Sequence, residues 1–231
     1  MIRTYRSCIV LGYILSRICT GAHVLAISDI VSDTHVPEVI VRNVIESLAD
    51  CGILSLQGSN IIVKVKDCVD ALFKLLEGNL LKDIEFLCDF IPWNVFEEVV
   101  CRICRVCNYE TIRRLRIPTR YGREEIDVIA IKDNIMLFIE VKHYKKARLK
   151  LEDVVRIHVE KVKKCVESRE ELLKRVPVKC MFSCYVIPVV VTLRDYGVKV
   201  LDDVPIVPIY RLRSFLCDVI TYVDSLAHFI L

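Results

Sequence analysis

Glutamine is almost missing from this 231-residue chain: Gln57 is its single copy. Glycine is also scarce, with 7 residues in all. That is too few for a Gly-rich loop whose bare N–H groups cradle phosphates. No Ser- or Cys-centred triad finds local support, and neither internal repeats nor low-complexity tracts occur. The 12 cysteines lack the regular spacing of a disulfide framework. Together with the chain length and the abundance of Val, Ile and Leu, this excludes a stapled secreted mini-protein. Most of these thiols are expected to serve as small buried hydrophobes. Little Gln beside much Lys, Arg, Glu, Val and Ile matches a heat-adapted, cytoplasmic protein, in which a few disulfides are permissible.

The formal net charge of +3 conceals an asymmetry. Residues 1–100 carry 8 Lys+Arg against 13 Asp+Glu, whereas residues 102–175 carry 20 against 12. A locally basic middle suits a polyanionic partner such as nucleic acid, although basic runs are more commonly solvated surface. The run "CIVLGYILSRICTGAHVLAI", Cys8 to Ile27, follows Arg3 and Arg6 and so imitates a signal peptide or membrane span. Arg17 and His23 interrupt it, and helical spacing from Arg3 to Cys19 gives it a better place as a buried first helix. No membrane association is expected.

After that helix the sequence predicts a short helix ending at Ser32 and Asp33, then a second helix with Pro37 in its first turn. Val39, Val41, Val44, Ile45 and Leu48 line one face of this second helix. Gly52 closes it, and "ILSL" and "IIVKV" flank a turn at Gln57 to Asn60. This order, over residues 1–66, resembles a winged helix-turn-helix domain. The second helix offers Arg42 alone against Glu38, Glu46 and Asp50, so a structural or dimerising role stands beside DNA contact. Residues 67–92 are expected to form a helical connector ending at the Ile91–Pro92 pair. Over 93–231 the pattern becomes a helix bearing Phe96, Val99, Val100, Ile103 and Cys107, then three strands. A long helix from about Leu149 to Arg175 follows, then a buried strand "YVIPVVVT", a short strand "VPIVPIY" and a closing helix from Leu212 to Phe229. Such an order predicts an α/β domain with a mixed central sheet covered on both faces.

Within that domain "EEIDVIAIKDNIMLFIEVKHY", Glu124 to Tyr144, sets Asp127, Glu140 and Lys142 at the ends of two apolar runs. Strand alternation puts Met136, Phe138, Glu140 and Lys142 on one face. A turn at Lys132 to Asn134 brings Asp127 opposite Glu140. Two carboxylates held together where water is scarce repel each other, and a divalent cation resolves the conflict. Mg2+, with Mn2+ as a substitute, takes one or two carboxylates plus waters and phosphate oxygens, which this set matches better than any zinc arrangement. Lys142 beside the ion could hold a water and stabilise charge growing on a phosphate, a combination suited to phosphodiester hydrolysis. On spacing alone, an ordinary cross-strand ion pair with a spare charge would be the better account.

"FEEVV", "EIDVIAI" and "FIEVKHY" occur in the right order, and with them the chain resembles the PD-(D/E)xK nuclease superfamily over roughly residues 93–209. Within it the element order is most similar to archaeal Holliday junction resolvases and Mrr-type restriction endonucleases. The resemblance implies a restriction-endonuclease-like core and a metal-dependent DNA endonuclease. It also implies roles: Asp127 and Glu140 as Mg2+ ligands, the Val141 main-chain carbonyl as a further ligand, Lys142 as catalytic lysine and Glu97 as auxiliary acid. Glu98 competes with Glu97, which is preferred because it follows Phe96. The sequence departs from the pattern at Asn108, where the family has Gly before an aromatic residue, here Tyr109. Cleavage of both strands of a duplex needs two sites, which fits a homodimer. The alternative is a non-catalytic DNA-binding or regulatory protein that keeps the nuclease fold.

Arg113, Arg114, Arg116, Arg120 and Arg123 precede the Asp strand, and Lys145, Lys146, Arg148 and Lys150 follow Lys142. These two clusters could neutralise phosphates on both sides of a scissile bond. Tyr121 and Tyr144 could stack on bases. "CRICRVC", with Cys101, Cys104 and Cys107, looks like an iron-sulfur ligand run but lacks the fourth Cys and the Pro, so core packing is the better account. Cys180 and Cys184 are taken as structural, His143 as weak evidence for phosphate contact and His158 as a satisfied core residue.

Overall fold

The computed structural model describes residues 4–78, 83–144, 150–176 and 184–231. These divide into two compact units, Met1–Val95 and Phe96–Leu231.

In the first unit Thr4 caps helix α1 (Tyr5–Cys19) by accepting a hydrogen bond from the Ser7 N–H at 3.2 Å. Val10, Leu11, Ile14 and Leu15, at helical spacing, are wholly buried. Strand β1 (Val24–Ala26), helices α2 (Ile27–Thr34) and α3 (Glu38–Asp50), and strands β2 (Leu54–Gln57) and β3 (Asn60–Val63) follow. The three strands form an antiparallel sheet in the order β1-β3-β2. β1 arises from the tail of the signal-like run, where no strand was expected. Pro37 is the cap residue of α3 rather than a first-turn residue. Val39 is 65% exposed and leaves the buried face to Val41, Val44, Ile45 and Leu48. Helices α4 (Cys68–Glu77) and α5 (Ile84–Cys88) are capped by the carboxylates of Asp67 and Asp83. A disulfide joins Cys19 to Cys68, linking the end of α1 to the start of α4. Among the described residues no helix is long and apolar enough to cross a membrane.

Helix α6 (Trp93–Val106) leads into the second unit. Strands β4 (Glu110–Thr119), β5 (Gly122–Lys132) and β6 (Ile135–Lys142) form an antiparallel meander. Its second turn is so tight that Asp133 takes a left-handed φ of 53°, a conformation that Asp tolerates better than most residues. Helix α7 (Leu151–Glu167), helix α8 (Arg169–Leu173) and strand β7 (Tyr185–Thr192) follow, and β7 pairs parallel to β6. Strand β8 (Val200–Leu201) then turns into β9 (Val204–Pro208), which lies parallel to the far end of β7. Helix α9 (Leu212–Asp218), a 3-10 turn (Val219–Ser225) and strand β10 (Phe229–Ile230) complete the order. β10 pairs antiparallel with the near end of β7 at Tyr185 and Val186. The described residues thus form a mixed seven-stranded sheet, β4-β5-β6-β7-β9-β8 with β10 beside β7. β6 is apolar on both faces from Ile135 to Ile139, all buried, as befits a central strand covered on both sides. Val162 and Cys165 of α7 close over Ile129, Met136 and Phe138 in one core.

Two helices are shorter than the sequence predicts. At Ser168 the backbone leaves helical geometry (φ −97°, ψ 42°), so the long helix splits into α7 and α8. Ser is prone to this because its hydroxyl competes for backbone partners. The closing helix ends at Asp218 because the β-branched run Val219, Ile220, Thr221 favours an α-helix poorly.

Candidate functional site

The sheet opens at Asp127. The β4–β5 ladder pairs Arg113 with Val128 and Leu115 with Ile126, skipping the pair between them, Arg114 and Asp127. On the other side the β5–β6 ladder runs to Val128 and Ile139 and stops. β6 meanwhile stays paired to β7 as far as Lys142 and Thr192. The strands therefore part like a fork, and continuing their register places Asp127 opposite Glu140. Asp127 Oδ2 accepts a hydrogen bond from the Val141 N–H at 2.8 Å, so a side chain stands where a main-chain carbonyl would continue the ladder.

Glu140 is 9% exposed, and both of its oxygens are engaged. Lys142 Nζ donates to Oε1 at 2.7 Å and Lys161 Nζ to Oε2 at 2.8 Å. His158 of α7 lies beneath, its Nδ1 3.6 Å from Oε2. His158 Nε2 is 2.8 Å from the Phe138 carbonyl oxygen. A carbonyl only accepts, so Nε2 carries the proton and Nδ1 presents a lone pair. That buried Nδ1 has no hydrogen-bond partner.

The fourth sequence-predicted residue, Glu97, reaches this neighbourhood from α6. It is 1% exposed, and its Oε2 accepts from Arg114 Nε at 2.7 Å. Arg114 holds a left-handed φ of 51°, which costs a non-glycine residue roughly 1–2 kcal/mol. Glu98 turns the other way, to Arg105 at 2.7 Å and Arg113 at 3.4 Å, which leaves Glu97 as the acid on the Asp127 side.

Protonation follows this geometry. Burial, and next the repulsion of Glu140, push Asp127 up to about 6, against the pull of the Val141 N–H and Lys161. Burial works against the charge of Glu140 too, but the ammonium groups of Lys161 and Lys142 outweigh it and hold Glu140 down to about 2. Burial opposes the charge on Lys142, yet its bond to Glu140 prevails and raises it. His158 is lowered by burial to about 4 and is neutral at physiological pH.

The donor set fits a hard divalent cation. It offers one carboxylate that ionises reluctantly beside another, both hard oxygen donors. Among the described residues no group of three or more His, Cys, Asp or Glu side chains could hold a metal ion. An ion here would complete its shell with carbonyl, water and substrate oxygens.

Four arginines expected to meet phosphates already have carboxylate partners: Arg113 with Glu98, Arg114 with Glu97, Arg116 with Glu125 and Arg120 with Glu167. The nearness of α6, the pairing of β4 with β5 and the end of α7 bring these charges together. Arg123 and Lys150 are exposed; Lys145, Lys146, Arg148 and Cys180 lie outside the described residues. Tyr121 stays 59% exposed beneath the Arg120 guanidinium, 4.6 Å from the ring centre, and Tyr144 is half exposed. His143 packs on the Phe96 ring. Cys101, Cys104, Cys107 and Cys184 are buried, and burial pushes the Cys101 thiol up to about 12. Lys161 was missed by the sequence reading, and His158 was read only as core. Both follow the inward face Leu151, Val155, His158, Val162 of α7, with Lys161 three residues beyond the histidine on its flank.

The model of the nuclease-related domain family matches residues 92–193, a stretch that includes Glu97, Asp127, Glu140, Lys142 and Lys161. An uncharacterized protein of Archaeoglobus fulgidus is 30% identical over 130 residues, 56% of this chain and 93% of that protein. A UPF0102 protein of Helicobacter hepaticus is 48% identical over 46 residues, 20% of this chain and 39% of its own length. A solved structure of a Vibrio cholerae protein shares 13% identity at a TM-score of 0.40, covering 94% of this chain and 51% of that one. A solved protein of unknown function shares 16% at a TM-score of 0.29, covering 44% and 47%. The chain spans about half the length of these solved structures.

Proposed function

We propose that this chain, which belongs to one family with the Archaeoglobus fulgidus protein and matches the nuclease-related domain over residues 92–193, is a metal-dependent DNA endonuclease. The observation that carries the reading is the fork in the sheet, where Asp127 lies opposite Glu140 with Lys142 bonded to Glu140 at 2.7 Å. Asp127, Glu140 and the Val141 carbonyl would hold Mg2+ or Mn2+. When bound, such an ion supplies Lewis acidity to a phosphate oxygen and acidifies a water.

The chain's own residues do the rest. Lys142 stays protonated, because its contact with Glu140 raises it. Beside the ion it would orient a water and stabilise the charge that grows on a phosphate. Glu97, fixed by Arg114, adds negative charge beside Asp127 without entering the pair. The first unit, with α1, α2 and α3 against the sheet β1-β3-β2, supports a winged-helix reading and a part in DNA positioning or assembly.

The test is a panel of branched, single-stranded and duplex DNA in Mg2+ or Mn2+, with Asp127→Asn and Lys142→Ala beside the unaltered chain. Cutting that needs the ion and falls at least about 100-fold in both variants is expected. Intact DNA that is still bound by all three proteins would replace this reading with that of a regulatory DNA-binding protein.

A further inference from the structure

Lys161 is the cation in the centre that the Glu-x-Lys spacing does not explain. Lys142 stands two residues beyond Glu140 on the same strand, and the pairing of β6 with β7 through Thr192 fixes its backbone. Lys161 comes from another element. Its Nζ spans from α7 to Glu140 Oε2 at 2.8 Å, and its side chain, 18% exposed, is not fully sealed from solvent. The oxygen it holds is the one that also faces the lone pair of His158 Nδ1 at 3.6 Å. Two acceptors turned toward each other in a buried place need positive charge near them, and Lys161 supplies it.

Accepting the reading of Asp127 and Glu140 as dication ligands, on which this inference rests, we propose that Lys161 is a built-in competitor of the metal ion, holding one oxygen of Glu140 until the ion displaces it. A hydrogen-bonded ammonium and a dication repel each other at one carboxylate, and the repulsion is strong where water is scarce. The site therefore binds its ion more weakly than its oxygens alone would allow. In exchange Glu140 is never left as an uncompensated buried anion. Once displaced, the Lys161 ammonium remains tethered within one side-chain length of the carboxylate, where a phosphate oxygen is its next available partner. Lys161 is on this account a positioning residue.

The experiment measures Mn2+ binding to the full chain by the electron paramagnetic resonance signal of the free ion. It compares the unaltered protein with Lys161→Ala, Lys161→Arg, Lys161→Met and Lys174→Ala. Lys174 pairs with Glu171 on the surface and is 64% exposed, so its variant controls for net charge. Lys161→Ala is expected to bind Mn2+ about tenfold more tightly, with Lys161→Arg and Lys174→Ala close to the unaltered chain. If Lys161→Ala loses its melting transition, Lys161→Met, which keeps an unbranched stem, carries the comparison. Unchanged or weaker binding in the neutral variants, with the unaltered chain still taking up Mn2+, overturns the competitor role and leaves the metal site standing. No uptake by any of the proteins overturns both.

Discussion

Asp127 is half-buried beside Glu140, at a cost to the protein without metal. Its folded carboxyl titrates near 6 against an ordinary 3.8, so the folded chain holds this proton more tightly than the unfolded chain does. Stability from this group is fully present below the ordinary value and is lost as pH rises through about 6. Glu140 acts in the opposite sense in a lower window. Lowered from 4.5 to about 2, it contributes above its ordinary value and loses that contribution as pH falls toward 2. Asn at position 127 can still accept from the Val141 N–H but carries no charge. In a chelator at pH 7.5, Asp127→Asn should therefore melt above the unaltered protein, and near pH 4 the gap should close. Calorimetry at the two pH values checks this, and a variant that melts lower at pH 7.5 refutes it. The expected trade is that the substitution which stabilises the fold abolishes cutting.

At the scale of elements, the hairpin was the legible part. The turn at Lys132 to Asn134 sets the register, alternation sets the face, and together they bring Glu140 beside Lys142 and opposite Asp127. The contribution of α7 was only half legible. His158 was correctly placed inward, but its meeting with Glu140 depends on how a helix crosses a strand some twenty residues earlier in the chain, which no local pattern encodes. The partners of the arginines were not legible for the same reason, since they come from α6, from the neighbouring strand and from the end of α7. The departure at Asn108 has a local explanation: its φ is 64°, so the position demands the left-handed conformation that glycine adopts freely. Asn is among the side chains that best tolerate it. Asn108→Gly should consequently fold normally and gain up to about 1 kcal/mol, read as a higher denaturation midpoint. A loss of stability would show that the Asn side chain has work of its own.

Across the whole molecule, acidic and basic character separate by unit in the sequence, yet many basic side chains of the second unit are engaged by its own carboxylates once the chain folds. A count of Lys and Arg therefore overstates the cations open to phosphates. The two units also differ in covalent support. Cys19 and Cys68, separated by 49 residues, are joined within the first unit, and closing a loop of that length is worth about 4 kcal/mol in the chain-entropy account. Reduction, or Cys19→Ser with Cys68→Ser, should speed hydrogen exchange in α1 and α4 while leaving β5 to β7 as slow as before. Equal acceleration in both units would contradict this. The fork carries one last consequence. Because a carboxylate, not a neighbouring strand, grips the Val141 amide, that lone nitrogen-bound proton should shift its magnetic resonance whenever anything draws charge from Asp127. A single peak would thus announce whether the centre is filled, with no turnover and no label beyond nitrogen-15.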